Sequence, residues 1–263
     1  MRMFHFILVF FLLLGPLPVS AAEQKSEKNS PNLTILADEG MLLPLARISR
    51  LYAYESQTPL TIIRLDPETA QQQIEQGLEA HLVISANLPL ITQLSTQGLT
   101  DVSSRKTIAR TQLALVTANT LNQQANLAKR ISFTSILAAT PTLPVLAMNT
   151  ESYDGRLVDG LREGKPFSAS LASRLVLKSS DEDMLAALRE TPSLGLMLAA
   201  HAVQEPDLTI LSLLSDDISP AVQVDAVVLG SELMSESKAF ANYLNSRSAR
   251  GVFKQFGYQL PTP

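Results

Sequence analysis

Leu33-Thr-Ile-Leu-Ala-Asp-Glu-Gly-Met41 is the stretch that decides the fold of this chain. Its first five residues are apolar or β-branched and predict a buried strand, and the polar turn after them leads at once into an amphipathic helix. A strand that runs directly into a helix opens an α/β sheet. The helix N-terminus then presents unpaired N–H groups and the positive end of its dipole beside the strand, so the turn 38–41 is a place for a ligand.

The same βα unit recurs and predicts mostly parallel sheets flanked by helices. Further units begin with the predicted strands Leu60–Ile63 and His81–Ala86, and a second set of units follows later in the chain. Two longer apolar stretches, 111–117 and 222–229, are predicted as strands that cross between the two sets. A final helix from Phe240 to Phe256 is predicted to pack back on the first set. The pattern predicts an α/β protein of two lobes around a cleft, with the crossing strands as its hinge.

Composition narrows the class of protein. Apolar residues make up 46% of the 263 residues and charged residues only 17%, which favours a folded globular chain. The net charge of −4 does not suit nucleic-acid binding. The chain has no cysteine, which excludes disulfides and a lipid-modified cysteine.

The first residues predict a secretory signal peptide. Arg2 precedes the apolar run Phe6–Leu14, the segment 15–18 breaks that run, and small residues suited to cleavage follow at 19–22. An uncleaved membrane anchor is the alternative, but the run is short for a membrane span. We therefore expect a periplasmic protein.

These patterns give a predicted domain organisation. It comprises a signal peptide at 1–22, a polar tether at 23–31, a first lobe at 32–112 plus 226–263, and a second lobe at 113–225.

Several segments carry a resemblance to a known family. They are Gln73–Gly77, the strand 80–86, Leu194–Leu198, and the C-terminal pair Ala239–Leu244 and Gly251–Gly257. In these segments the chain resembles periplasmic substrate-binding proteins of molybdate/tungstate ABC transporters, which have the type II binding-protein fold. The resemblance implies a monomer that captures a small molecule between its lobes and delivers it to a membrane permease or a sensor, without a cofactor.

The presumed ligand turns depart from this family. The resemblance implies that hydroxyls and backbone N–H groups of the first two βα turns, together with the second lobe, hold the oxyanion. A serine is expected where this chain has Gly40, and a second serine falls on Pro67, which has neither a hydroxyl nor an N–H. The family's tyrosine falls on Leu198, and the second-lobe turn 149–153 lacks the usual motif.

Acidic residues in those turns argue against an oxyanion. One carboxylate about 4 Å from a unit negative charge costs on the order of 4 kcal/mol at an effective dielectric of about 20. Each lost hydrogen bond to a charged ligand costs roughly 1.5–3 kcal/mol more. Micromolar binding corresponds to only about −8 kcal/mol. The sequence therefore predicts an uncharged or cationic ligand rather than molybdate, tungstate or sulfate.

The predicted ligand contacts lie in the turns that should face the cleft. They are Asp38, Glu39, Gly40, Met41, Asp66, Pro67, Glu68, Ser85, Asn149, Tyr153 and Leu198. Solvated helix-start residues are the alternative for the acids, and Asp66-Pro-Glu68 in particular has the sequence of an ordinary helix start.

Catalysis and metal binding have little support in the sequence. His81 and His201 lack the partner spacing of a zinc site, and Ser85 lacks the surroundings of a nucleophile. We expect neither an enzyme nor a metal site. The main hypothesis is a solute-binding protein of an ABC importer, and the alternative is a periplasmic accessory or interaction protein on the same fold.

Overall fold

A computed structural model describes residues 32–67, 69–125, 132–150, 152–230 and 232–261, with the backbone alone at 123–125. The predicted signal peptide, the tether and the predicted contact Glu68 lie outside the described residues. No helix in the described part of the chain is long and apolar enough to span a bilayer.

The strands are numbered along the chain. They are β1 (Leu33–Ala37), β2 (Leu60–Arg64), β3 (Leu82–Ser85), β4 (Thr100–Thr111), β5 (Leu113–Ala118), β6 (Val145–Met148), β7 (Leu175–Lys178), β8 (Leu194–Leu198), β9 (Leu208–Leu213) and β10 (Val222–Leu229). The helices follow the same convention. They are α1 (Glu39–Ser56), α2 (Ala70–Glu75), α3 (Leu88–Thr96), α4 (Asn119–Ala125), α5 (Phe133–Ala139), α6 (Tyr153–Asp159), α7 (Ser168–Ala172), α8 (Asp181–Glu190), α9 (Ala199–Ala202), α10 (Met234–Tyr243) and α11 (Arg247–Gln255).

The ten strands of the described residues form two mixed sheets. In the first, of order β2-β1-β3-β10-β4, β1 is parallel to β2 and β3, while β10 is antiparallel to β3 and β4. In the second, of order β7-β6-β8-β5-β9, β6 is parallel to β7 and β8, while β5 is antiparallel to β8 and β9. Within each sheet, four of the five strands therefore point the same way. The predicted two-lobed α/β architecture with mostly parallel sheets is confirmed.

The crossings between the sheets differ from the prediction. The predicted strand 111–117 is divided at Gln112, because β4 belongs to the first sheet and β5 to the second. The return runs through 214–221, since all of β10 lies in the first sheet. The two crossings are neighbours: the side-chain amide of Gln112 donates to Asp216 Oδ1 at 3.4 Å. The lobe boundaries and the hinge stay predictions.

β4 was missed in the sequence because it is a polar edge strand. Seven of its first eight residues are polar or charged, and such strands give little hydrophobic alternation. β4 nevertheless pairs with β10 from Thr111 to Thr100, across two register shifts. It completes the first sheet without contributing a recognisable apolar run.

The prediction of one continuous C-terminal helix was wrong. The predicted helix is divided into α10 and α11, because Ser246 begins a new helix by accepting a hydrogen bond from the N–H of Ala249. Its predicted docking on the first set of units is confirmed. The ring of Phe240 on α10 meets that of Tyr52 on α1 edge-on, with centroids 4.9 Å apart.

Candidate functional site

The first βα turn directs Asp38 toward the end of β3. The hydroxyl of Ser85 donates to the Asp38 carboxylate at 2.8 Å, and the backbone N–H of Ala86 donates at 2.6 Å. Burial raises the pKa of Asp38, while these two hydrogen bonds and the charge of His201 act in the opposite direction. The predicted site residues Asp38 and Ser85 are thus brought together. The hydrogen-bond donors at the end of β3, the Ser85 hydroxyl and the Ala86 N–H, are thus occupied by the Asp38 carboxylate.

The second lobe supplies a carboxylate at the start of α6. Ser152 caps this helix, and Gly155 allows its tight first turn, because a Cβ at residue 155 would lie 1.7 Å from the carbonyl oxygen of Asn149. In this turn Asp154 is nearly buried. Its Oδ2 accepts from the N–H of Leu198 at 3.3 Å and lies 3.5 Å from Nδ1 of His201.

His201, on α9, lies directly against Gly40 at the start of α1. A Cβ at residue 40 would lie 2.3 Å from Nε2 and 2.5 Å from Cδ2 of the His201 ring. A side chain at residue 40 and the ring at its present position therefore exclude each other. This contact gives a physical reason for glycine in the first turn.

The carbonyl of Gly40 is held from two directions. The Tyr258 hydroxyl donates to it at 3.0 Å, and the side-chain amide of Gln204 on α9 donates at 3.4 Å. Gly257 places Tyr258 by adopting a φ of +77°, which favours glycine. The N-terminus of α1, α9 and the end of the chain therefore meet at one carbonyl group.

His201 carries a positive charge at neutral pH. Burial lowers the pKa of its imidazole, but the carboxylate of Asp154, by charge and by hydrogen bond, raises it, and so do Asp181 and Glu39, with a net value of about 9. Since Asp38 also interacts with this charge, the imidazolium lies among carboxylates of both lobes.

A cavity of about 300 Å³ opens beside His201 between α1 and the second lobe. Its walls are largely apolar and its rim carries carboxylates: Glu39, Gly40, Leu42, Leu43, Asp181, Leu185, Met197, His201, Gln204 and Glu205. Glu39 pairs with Arg64 at 2.9 Å, and Glu205 pairs with Arg189 at 2.7 Å. The cavity suits a small ligand with an apolar body.

The remaining predicted contacts lie in different surroundings. Met41 is 1% exposed within the core, and Leu198 is buried with its N–H directed to Asp154. Asp66 and Pro67 are exposed, and Asp66 accepts from the hydroxyl of Thr69 in its own turn, as a helix-start residue does.

The two second-lobe residues lie near the turn that begins α6. The carbonyl of Asn149 accepts from Ser152, and the ring of Tyr153 lies 5.9 Å from the guanidinium carbon of Arg156. The ligand roles of all the predicted contacts stay predictions.

The sequence did not reveal Asp154, His201, Gln204 and Tyr258 as parts of this site. The one available signal was Gly40 in place of an expected serine, because a missing side chain leaves room for another group. The sequence does not say which distant residue fills that room. Among the described residues, no group of three or more potential metal-ligating His, Cys, Asp or Glu side chains is found.

Three solved structures have a fold similar to that of this chain. The substrate-binding domain assigned to a molybdenum ABC transporter of Clostridium difficile has a TM-score of 0.77 at 21% identity, over 89% of this chain and 100% of that chain. For the periplasmic molybdate-binding protein of Azotobacter vinelandii the TM-score is 0.68 at 18% identity, over 88% and 100%. For a tungstate-binding protein of Desulfovibrio alaskensis it is 0.67 at 12% identity, over 89% and 100%.

Sequence comparison identifies the family. No protein of curated function matches the chain, but the family model described as bacterial extracellular solute-binding protein matches residues 33–259. The resemblance predicted from the sequence is confirmed. The chain belongs to the bacterial extracellular solute-binding proteins and has the fold of their molybdate- and tungstate-binding type.

Proposed function

We propose that this chain is a periplasmic solute-binding protein that captures a small ligand other than an oxyanion in its interlobe cleft and presents it to an ABC importer. No chemical step is involved, and the lobes close around the ligand by movement at the two crossings, Gln112 and 214–221. The observation that carries the proposal is the hydrogen-bonded position of Asp38. Its carboxylate uses the Ser85 hydroxyl and the Ala86 N–H, the donors that a bound anion would need.

Electrostatics supports the same conclusion. An oxyanion at this strand end would replace Asp38 or lie beside it, and a carboxylate about 4 Å away costs on the order of 4 kcal/mol per unit charge at an effective dielectric of about 20. The charge of His201 does not offset this cost, because that charge is already paired with Asp154. An uncharged or cationic solute meets no such penalty.

A ligand titration tests the proposal. We expect molybdate, tungstate and sulfate at millimolar concentration to leave the melting temperature of the mature protein unchanged within about 1 °C, since these ions find occupied donors. Native mass spectrometry of freshly purified protein should show a bound small molecule. A molybdate-dependent rise of several degrees would contradict the proposal.

Replacing Asp38 tests the observation behind it. In Asp38→Ala the Ser85 hydroxyl and the Ala86 N–H lose their acceptor, and we expect a loss of about 2 kcal/mol in the free energy of unfolding. Sulfate should recover part of this loss in the variant and have no effect on the wild type, as measured by urea unfolding at pH 7. The control is Glu79→Ala, an exposed acid away from the cleft, whose change should stay within about 0.5 kcal/mol. Equal sulfate effects on all three proteins would refute the assignment.

A second candidate function is favoured by one observation. The lobes contact each other directly, with Gln204 donating to Gly40 and the His201 ring lying against it. A cleft joined in this way by its own side chains also suits a periplasmic accessory protein that binds another protein. Native mass spectrometry separates the two candidates, because a co-purifying protein supports the accessory role and a co-purifying solute supports transport.

A further inference from the structure

The side chain of His201 takes the space that a side chain at residue 40 would need. The His201 ring lies where a side chain on residue 40 would lie, because a Cβ there would come within 2.5 Å of two ring atoms. Gly40 opens α1 in the first lobe, and His201 follows β8 in the second. The ring is thus a part of one lobe that fills a notch in the other.

Carboxylates from three helices and one turn act on the charge of this ring. Asp154 comes from α6, Asp181 from α8, Glu39 from α1, and Asp38 immediately precedes α1. The phenol of Tyr258 contacts the same notch from the end of the chain. The surroundings of the His201 ring are therefore negatively charged on several sides, and the imidazolium supplies the balancing positive charge.

The walls of the notch are anchored independently of the ring. Tyr258 and Gln204 hold the Gly40 carbonyl, and the N–H of Leu198 holds the Asp154 carboxylate. Removal of the imidazole would therefore leave a cation-sized hole with an ion-pairing carboxylate still in place.

We propose that His201 is the specificity-determining residue of this cleft: as a tethered cation it fills a cation-binding space between Asp154 and the backbone of Gly40, so that no ligand can enter that space and an oxyanion gains nothing from a charge that Asp154 already pairs. This inference rests on the proposed function in that it concerns the same cleft. It goes further by assigning a charge class to that space and a residue that controls it.

Chemical rescue tests the assignment. His201→Ala should melt lower than the wild type, and 100 mM imidazole at pH 6 should raise its melting temperature by at least about 3 °C. The wild type, in which the His201 ring fills that space, should shift by less than about 1 °C. At pH 8.5 imidazole is mostly neutral, and the rescue should disappear. Sodium sulfate and molybdate at matched ionic strength should not rescue the variant.

Two control variants distinguish a site that requires an ion pair from a cavity that any small molecule could fill. Leu185→Ala enlarges the same cavity without removing a charge, so imidazole should not stabilise it selectively at pH 6. His201→Ala combined with Asp154→Ala removes the pairing carboxylate and should lose the rescue. A rescue that persists at pH 8.5, appears equally in Leu185→Ala, survives the loss of Asp154 or is matched by sulfate would overturn the inference. Absence of any rescue would overturn it as well.

A pair of filling substitutions covers the case in which His201→Ala does not fold. His201→Lys keeps a tethered cation and His201→Met keeps a side chain of similar size without charge. At pH 7 the Lys variant should melt higher than the Met variant, and the reverse order would contradict the inference. Failure of the proposed function itself is distinguishable, because it would appear as molybdate binding by the wild type.

Discussion

Gly40→Ala is expected to destabilise the protein by about 3 kcal/mol, although alanine is the better helix former. The new Cβ would lie 2.3 Å from Nε2 of His201, so the ring must leave its position. The ring then loses its place beside Asp154, and a nearly buried carboxylate is left without its cation, which is itself costly. Urea unfolding at pH 7 measures the change in the free energy of unfolding.

A double-mutant cycle isolates the contact responsible for this effect. In the His201→Ala background the same Gly40→Ala substitution should cost less than about 0.5 kcal/mol, because the clashing ring is absent. Gly251→Ala is a matched control: this glycine also lies in a helix, and a Cβ there would meet nothing within 4 Å. It should be neutral or slightly stabilising. If Gly40→Ala costs the same in both backgrounds, the clash lies elsewhere.

Stability is expected to fall as pH rises through the His201 titration. The folded-state pKa of His201 is about 9, above its usual value of 6.5. The protonated ring therefore contributes its full stabilisation below pH 6.5, and that contribution is lost as pH rises through 9. The difference between the two pKa values corresponds to about 3 kcal/mol at most. Urea unfolding between pH 6 and pH 10 measures the decline.

The variant His201→Gln provides the reference curve for this titration. Glutamine does not titrate, so the wild-type decline minus the variant decline belongs to residue 201. The difference should develop between pH 6.5 and about pH 9.5 and then level off. Parallel curves for the two proteins would show that His201 is not held as a cation in the folded protein.

The sequence predicted the architecture well wherever one segment carries its own pattern. The strands β1 and β10 have the predicted bounds, because runs of apolar and β-branched residues define them locally. β4 was missed because polar edge strands carry a weak pattern. Local chemistry is thus enough for most elements.

The site was less predictable because its contacts join distant parts of the chain. Asp38 was placed correctly in the first turn, but nothing in that turn shows that its carboxylate is directed to Ser85. Gly40 depends on His201, and its carbonyl depends on Tyr258, near the end of the chain. Such pairs are set by how the two sheets meet, which no single periodicity describes. Charge alone was the basis for predicting that the cleft does not bind an oxyanion.

The place of β10 has a consequence for the order in which the two sheets can form. It lies between β3 and β4, so the N-terminal half of the first sheet has no edge for β4 to join until residue 229 has emerged. The second sheet uses only the continuous stretch from Leu113 to Leu213 and can assemble earlier. When the chain becomes available from its N-terminus, the second sheet can therefore form before the first, and the contact of Tyr258 with Gly40 can form only later.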